Sequence, residues 1–175
     1  IKGVVSSCIP DEVDHRIFWA QLKTDSGNCY VTIGKKAFSR IKPRDLIDAE
    51  TEFTGLILPI YGLRKSLGYH MGVHKASRIK IIKPPSRHPF TEYPLTERQH
   101  TLHRQYISGD VVAADNRYFF LRTKIGRVLV VHPTANTEIP VPGESVDVAG
   151  FPEFAPYWLC LNEALVKKTG KAASP

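Results

Sequence analysis

Two stretches of the sequence, Arg16–Gly27 (RIFWAQLKTDSG) and Arg117–Gly126 (RYFFLRTKIG), have nearly the same order of residue types. Each begins with arginine, runs through aromatic and apolar residues to a lysine, and ends at a glycine. Aromatic and β-branched runs that end at glycine are typical of strands followed by tight turns. The repetition therefore predicts one fold present twice, with these stretches as the second strand of each copy.

The rest of the chain follows the same plan in both halves. Short β-branched and aromatic runs alternate with Gly, Pro, Asn and Asp, and no long stretch has a helical period. The predicted strands are 1–8, 16–24, 28–34, 49–58 and 76–83 in the first half, and 105–115, 117–124, 127–133, 145–151 and 157–168 in the second. A short helix is predicted within 35–46, whereas the equivalent 134–144 is predicted to be a loop.

Five strands with a helix after the third are the plan of the OB-fold, a small barrel that recurs in binding modules. We therefore predict an all-β chain of two tandem five-stranded OB-like barrels, the first with a short helix between strands 3 and 4. The first barrel is predicted at 1–83, a Pro-rich linker at 84–104 and the second barrel at 105–170. Gly55 and Gly150 occupy matching places in the fourth strands, where a glycine usually marks a bulge or bend.

The composition is that of a folded chain with moderate positive charge. Hydrophobic residues make up 42% and charged residues 23%, and no apolar run is long enough to span a membrane. The net charge of +7 suits an anionic partner such as nucleic acid, acidic glycan or a lipid surface, although ordinary solubilising charge would look the same. Because the chain begins at Ile1, we expect a longer parent protein, whose signal peptide or membrane anchor, if it has either, lies outside this segment.

No catalytic motif is found in the sequence. It lacks GxSxG, Walker, GxGxxG, HExxH and EF-hand patterns. His70 and His74 have no close carboxylate in the predicted strand, which favours solvent-facing or hydrogen-bonded histidines over a metal pair. Cys8, Cys29 and Cys160 form no zinc or disulfide framework, and a Cys8–Cys29 pair and two free thiols both stay open. We predict a segment that is not an enzyme and has no metal site and no cofactor.

Aromatic side chains in the second strands have two possible roles. Consecutive strand positions point to opposite faces, so in each copy one ring fills the barrel and its neighbour faces outward. The outward rings either pack against other parts of the protein or stack on a ligand. The candidates are Phe18, Trp19, Tyr118, Phe119 and Phe120.

The order of these features resembles the extracytoplasmic tandem OB-like region of bacterial two-component sensor proteins, histidine kinases and their relatives. The resemblance lies in SGDVV (108–112), YFFLRTKIGRVLVV (118–131), PGESVDVAGFPEFAP (142–156) and NEALVKKTG (162–170), and in KGVVSS (2–7), LIDAETEFTG (46–55) and GLRKSLGYHMGVHKASRIKII (62–82). The usual aspartate after strand two is replaced by Thr123-Lys124 in the second copy. The resemblance implies a non-catalytic, periplasmic sensory or ligand-binding region, with a histidine kinase or similar output domain elsewhere in the parent.

The expected partner on this hypothesis is a small molecule, glycan or protein ligand. The alternative is a tandem OB-fold protein that binds single-stranded nucleic acid, which the charge and the aromatic residues favour. The predicted binding site is centred on the basic segment 59–75, either a loop between strands four and five or partly a strand at 67–73, with the outer strand faces beside it. Its residues are Arg64, Lys65, Tyr69, His70, His74, Trp19 and Arg117.

Overall fold

The computed structural model describes residues 1–39, 41–61, 66–96, 101–154 and 158–171. The chain divides into two units, Ile1–Ser86 and Arg87–Pro175. Strands dominate both units, which confirms the predicted all-β class and the two OB-like barrels.

The first unit contains seven strand segments and one short helix. A 3-10 turn at Lys35–Ser39 and helix α1 at Pro43–Leu46 lie between the third and fourth strands, as predicted, and a further 3-10 turn lies at Ala76–Arg78. Ala37 and Leu46 of these turns are fully buried. The strands are β1 (Lys2–Pro10), β2 (Ile17–Thr24), β3 (Gly27–Gly34), β4 (Glu50–Phe53), β5 (Leu56–Tyr61), β6 (Ser66–Val73) and β7 (Ile79–Lys83).

The seven segments follow the path of a five-stranded barrel. Antiparallel β1, β2 and β3 form its centre, β4 pairs with β1, and β6 pairs with β3 in parallel. Only Thr54 and Gly55 separate β4 from β5, and residues 74–78 separate β6 from β7. The consecutive segments β4 and β5 therefore form one long strand with a bend, and β6 and β7 form another. The two long strands pair with each other, β5 with β6 and β4 with β7. Residues 67–73, predicted to be either loop or strand, therefore lie in a strand.

The second unit is a closed barrel of five strands, in the order β10-β12-β11-β8-β9. Parallel pairing of β10 with β12 closes it, as β3 and β6 do in the first unit. Residues 134–143 contain only turns and irregular backbone, which confirms the predicted loop. The strands are β8 (Gln105–Ala114), β9 (Phe119–Thr123), β10 (Val128–Pro133), β11 (Glu144–Phe154) and β12 (Leu159–Lys171).

Each unit has its own apolar core, supplied by alternate positions of its strands. In the first unit Ala20, Leu22 and Val31 are fully buried, and Phe18 packs against them. In the second unit Phe119 and Leu121 are fully buried. The prediction that one aromatic ring of each second strand faces inward is confirmed.

Matching backbone features show how the two copies align. A Cβ added at Gly3 would lie 2.5 Å from the Lys23 carbonyl oxygen, and one added at Gly109 would lie 2.5 Å from the Arg122 carbonyl oxygen. A register shift follows in both copies, at 5–7 and at 111–113. Lys23 is thus equivalent to Arg122. The sequence alignment of 16–23 with 117–124 places Lys23 opposite Lys124, so it is displaced by two residues. A shift of two keeps every side chain on its predicted face.

Candidate functional site

Positive charge is concentrated in the first unit. Residues 1–86 hold 14 of the 24 Lys and Arg residues and 8 of the 17 Asp and Glu residues, a formal charge of +6. Residues 87–175 hold the other 10 and 9, a formal charge of +1. An anionic partner should therefore prefer the first unit.

The outer face of β2, β3 and β6 carries three aromatic or imidazole rings. Positions that alternate with the buried core residues point outward, and in β2 and β3 these include Trp19 and Tyr30. Tyr30 pairs with Gln21, and Trp19 pairs with Thr32, which in turn lies opposite Gly72 of β6. Tyr30 is 48% exposed, and Trp19 is half-buried.

Trp19 is held in place from two sides. Its indole Nε1 donates a hydrogen bond of 2.6 Å to Oδ2 of Asp11 in the loop between β1 and β2. Its ring lies 5.3 Å, centroid to centroid, from the His70 ring at a tilt of 54°. The backbone N–H of Asp14, followed by the Trp19 indole and the backbone N–H of Val13, keeps the pKa of Asp11 below its usual value. The carboxylate that positions the indole thus stays ionised.

His70 has an unused hydrogen-bonding atom on this face. Its Nδ1 is buried, and no described residue makes a hydrogen bond with it. The residue as a whole is only half-buried. Unsatisfied buried polar atoms are uncommon in folded proteins. A ligand group placed beside the Trp19–His70 pair could satisfy this nitrogen.

Two glycines, Gly34 and Gly72, lie beneath the His74 side chain on this face. Added Cβ atoms would lie 3.4 Å from Nδ1 of His74 at Gly34, and 3.7 Å from its Nε2 at Gly72. The His74 side chain is exposed and lies over both glycines. At Gly72 the Leu58 side chain is closer still, with its Cδ1 2.8 Å from the added Cβ, so the small residues make room for the Leu58 and His74 side chains.

A groove lies on each side of His74, and both grooves have basic walls. One has a volume of about 290 Å³, with Lys75 and Arg78 on its wall beside Gly55 and Gly72. The other has a volume of about 480 Å³, and its basic lining residues are Arg16, Lys35 and Lys36. We call these five residues the cationic rim. The rim consists of exposed side chains.

Among the described residues, one member of the cationic rim, Arg16, is neutralised by an ion pair. Arg16 binds Asp14 through two hydrogen bonds, Nε to Oδ1 at 2.9 Å and Nη2 to Oδ2 at 3.0 Å. These bonds and the Arg16 backbone N–H lower the pKa of Asp14 to about 2. Within the described part of the chain, no ion pair involves the other four members, Lys35, Lys36, Lys75 and Arg78.

The structure brings together some of the predicted site residues. Trp19, His70 and His74 share the outer face of the first unit, and Tyr69 on β6 is 69% exposed. The remaining three are placed differently. Arg117 is exposed in the turn between β8 and β9 of the second unit, and Arg64 and Lys65 lie outside the described residues. Sequence reasoning missed Tyr30, which strand alternation on β3 could have indicated. It also missed Lys35, Lys36, Lys75 and Arg78, which lie outside the strands.

The equivalent face of the second unit also carries aromatic rings. Tyr118 takes the place of Trp19, and its ring lies 5.6 Å from Phe120 and 5.7 Å from His132. Nearby, Asn162 Nδ2 donates a hydrogen bond of 2.6 Å to Glu153. The second unit as a whole has a formal charge of +1, against +6 for the first.

Comparison with known proteins gives structural matches only. No family model and no curated protein sequence matches the chain. Solved structures that match include the p204 HINb domain, with 13% identity, a TM-score of 0.35, and coverage of 97% of this chain and 96% of that one. The tetrameric p202 HIN2 matches with 12% identity, a TM-score of 0.35, and coverage of 97% and 91%. A murine DNA-binding protein bound with ds DNA matches with 14% identity, a TM-score of 0.36, and coverage of 100% and 97%.

These matches correct the functional hypothesis drawn from the sequence. The matched structures are HIN domains and a DNA-binding protein, so the predicted resemblance to histidine-kinase sensor regions is wrong. The sensory function and the periplasmic location were implied by that resemblance and are wrong with it. Ranking nucleic acid second among the partners, behind a small molecule, glycan or protein ligand, was also wrong. The prediction of a segment that is not an enzyme is consistent with these neighbours, whereas a histidine-kinase parent has no support.

The described residues contain neither a metal-binding cluster nor a helix that could span a membrane. No group of three or more His, Cys, Asp or Glu side chains there is arranged to hold a metal ion. No helix among those residues is long and apolar enough to cross a membrane.

Proposed function

We propose that this chain binds single-stranded nucleic acid, and that the outer face of β2, β3 and β6 in the first unit is the contact surface. One observation carries the proposal: the rings of Trp19, Tyr30 and His70, of which Tyr30 is exposed and the other two half-buried, lie on the same face as the cationic rim. Bases stack on aromatic rings while phosphates contact cations, which is how OB-folds hold single strands.

The electrostatic part of the proposal rests on the cationic rim. Phosphate contacts by Lys and Arg supply most of the sequence-independent affinity for nucleic acid, because they release condensed counterions. Lys35 and Lys36 follow β3, and Lys75 and Arg78 follow β6, so all four lie at the same end of the face, in the two grooves that meet at His74. A strand that lies along β3 and β6 can therefore stack bases on the rings and bring its phosphates to the cations at this end.

The rings favour a single strand over a duplex. Trp19, Tyr30 and His70 offer ring surfaces, and bases are free to stack on them only when they are not paired in a duplex. One matched structure is a DNA-binding protein bound with ds DNA, but at 14% identity that likeness concerns the fold alone. A duplex is therefore the comparison arm of the test.

Tryptophan fluorescence can test the stacking directly. The chain has two tryptophans, Trp19 and Trp158, so Trp158→Phe leaves Trp19 as the only reporter. A thymidine oligonucleotide should quench its emission, and the same strand in a duplex should bind more weakly. Trp19→Ala should weaken binding, measured with a labelled strand, about tenfold, within the 1 to 3 kcal/mol that one stacked base supplies.

The matched control is Tyr118→Ala, which removes the equivalent ring of the second unit and should leave binding unchanged. Failure of the single strand to bind at low salt would remove the proposal. Tighter binding of the duplex, or equal losses in the two variants, would contradict the assignment of this face.

A further inference from the structure

The second barrel contains a small apolar cavity at one end. Its volume is about 170 Å³. It lies where β9 and β10 are joined by a turn and where β8 and β12 begin. Ile125, which is 77% exposed, lies at its edge, and its other apolar lining residues are Leu95, Ile107, Leu129 and Leu159.

The polar lining residues of this cavity are Thr96, Thr123 and Arg127, and the hydroxyl of Thr123 is buried without a hydrogen-bond partner. Thr123 is only 6% exposed and alternates with the buried residues Phe119 and Leu121 on the inner face of β9. Its backbone is fully used, since its N–H donates to the Arg127 carbonyl at 2.8 Å and its carbonyl accepts from the Gly126 N–H at 2.9 Å. Its Oγ1 is buried, and no described residue makes a hydrogen bond with it.

The first barrel shows that the fold does not require this unsatisfied hydroxyl. Thr24 occupies the equivalent position, and its Oγ1 donates to the Gly27 carbonyl at 2.7 Å. The turn after Thr24 has two residues before the paired Gly27, whereas the turn after Thr123 has three before the paired Arg127. The longer turn removes the local acceptor, and the hydroxyl is left in the wall of the cavity.

We propose that this cavity binds a small, mainly apolar molecule that carries one hydrogen-bonding group, with Thr123 Oγ1 as the specific contact. The volume suits about one aromatic ring, because an engineered cavity of roughly 150 Å³ lined by apolar side chains binds benzene. A mainly apolar wall with a small number of placed polar groups is the usual composition of small-ligand sites. Binding would satisfy the hydroxyl, whose burial without a partner is otherwise costly.

Phenol and toluene are suitable probes, because they have nearly the same size and differ by a hydroxyl and a methyl group. Both should bind the full 175-residue chain and perturb the methyl NMR signals of Leu129 and Ile107. Phenol should bind more tightly. Thr123→Val keeps the side-chain shape, so it should weaken phenol about fivefold, the factor supplied by one neutral hydrogen bond, and leave toluene unchanged.

The control is Thr24→Val, which removes the equivalent hydroxyl of the first barrel and should change neither affinity. A second variant, Leu95→Trp, should fill the cavity and abolish binding of both probes. Absence of binding at millimolar concentrations would overturn the proposal. Binding that perturbs other signals, or an equal phenol affinity in Thr123→Val and the unmodified chain, would also overturn it. Neither result depends on whether the first unit binds nucleic acid.

Discussion

Replacing Lys35 and Lys36 together by glutamine should reduce the salt dependence of nucleic-acid binding by a calculable amount. With Lys75 and Arg78, they are the four rim cations outside the Arg16 ion pair. Each neutralised phosphate of a single strand contributes about −0.7 to the slope of log K against log salt, so four cations predict a slope of about −2.8. Removal of two should reduce it to about −1.4.

The same relation gives the loss of affinity. If counterion release is the whole contribution of the two lysines, the plots of log K against log salt for the variant and the unmodified chain meet at about 1 M salt. The variant should then bind about 70-fold more weakly at roughly 50 mM salt and about tenfold more weakly at roughly 200 mM. Fluorescence anisotropy of a labelled thymidine strand of about 12 nucleotides, a length within the usual site size of one OB-fold, measures both quantities.

A matched charge control separates location from net charge. Lys124→Gln with Lys167→Gln removes two exposed lysines of the second unit and changes the net charge equally. Its slope should stay near that of the unmodified chain, and unchanged thermal melts would show that both variants are folded. An unchanged slope for the Lys35 and Lys36 variant, or an equal reduction in the control, would refute the role of the cationic rim.

Two further predictions concern stability. Gly109→Ala should lower the free energy of unfolding by about 1 to 3 kcal/mol, because its new Cβ would meet the Arg122 carbonyl oxygen at 2.5 Å; chemical denaturation measures this, and Gly170→Ala, which has open space around the new Cβ, should change it little. Since the Arg16 bonds lower the pKa of Asp14 to about 2, the stabilisation they give is present above the unfolded pKa and is lost as pH falls toward 2. Melting temperatures between about pH 5 and 2 should therefore fall more steeply for the unmodified chain than for Asp14→Asn, and parallel curves would contradict this.

Strand alternation is why the sequence predicts so much of the fold. The inward position of Phe119 and the outward position of Trp19 follow from a two-residue period, and the aligned copies support each other. The sequence alignment of 16–23 with 117–124 was wrong by two residues, yet it preserved the faces. The correct alignment of the two copies follows from the close approach of Gly3 and Gly109 to a carbonyl of the neighbouring strand. A contact between strands cannot be read from the sequence of one strand.

The cationic rim was hidden from sequence reasoning for a topological reason. Lys35 and Lys36 follow β3, whereas Lys75 and Arg78 follow β6, about 40 residues later. They lie on one face because β3 and β6 pair in parallel, with Ile33 opposite Val73. Parallel pairing joins strands that are distant in sequence, and no local pattern specifies the partner.

The residues that the two copies share determine the barrel, and those in which they differ provide the candidate sites. Gly109 and Gly150 belong to the motifs that resembled sensor regions, and both lie where the backbone approaches a neighbour or shifts register. Any protein of this fold needs such positions, so a resemblance based on them carries architecture and not function. By contrast, Trp19 is equivalent to Tyr118, and the hydrogen-bonded Thr24 is equivalent to the unsatisfied Thr123. The two copies of the fold thus carry different surface side chains on similar backbones. Each surface must be tested by variants that leave the shared glycines in place.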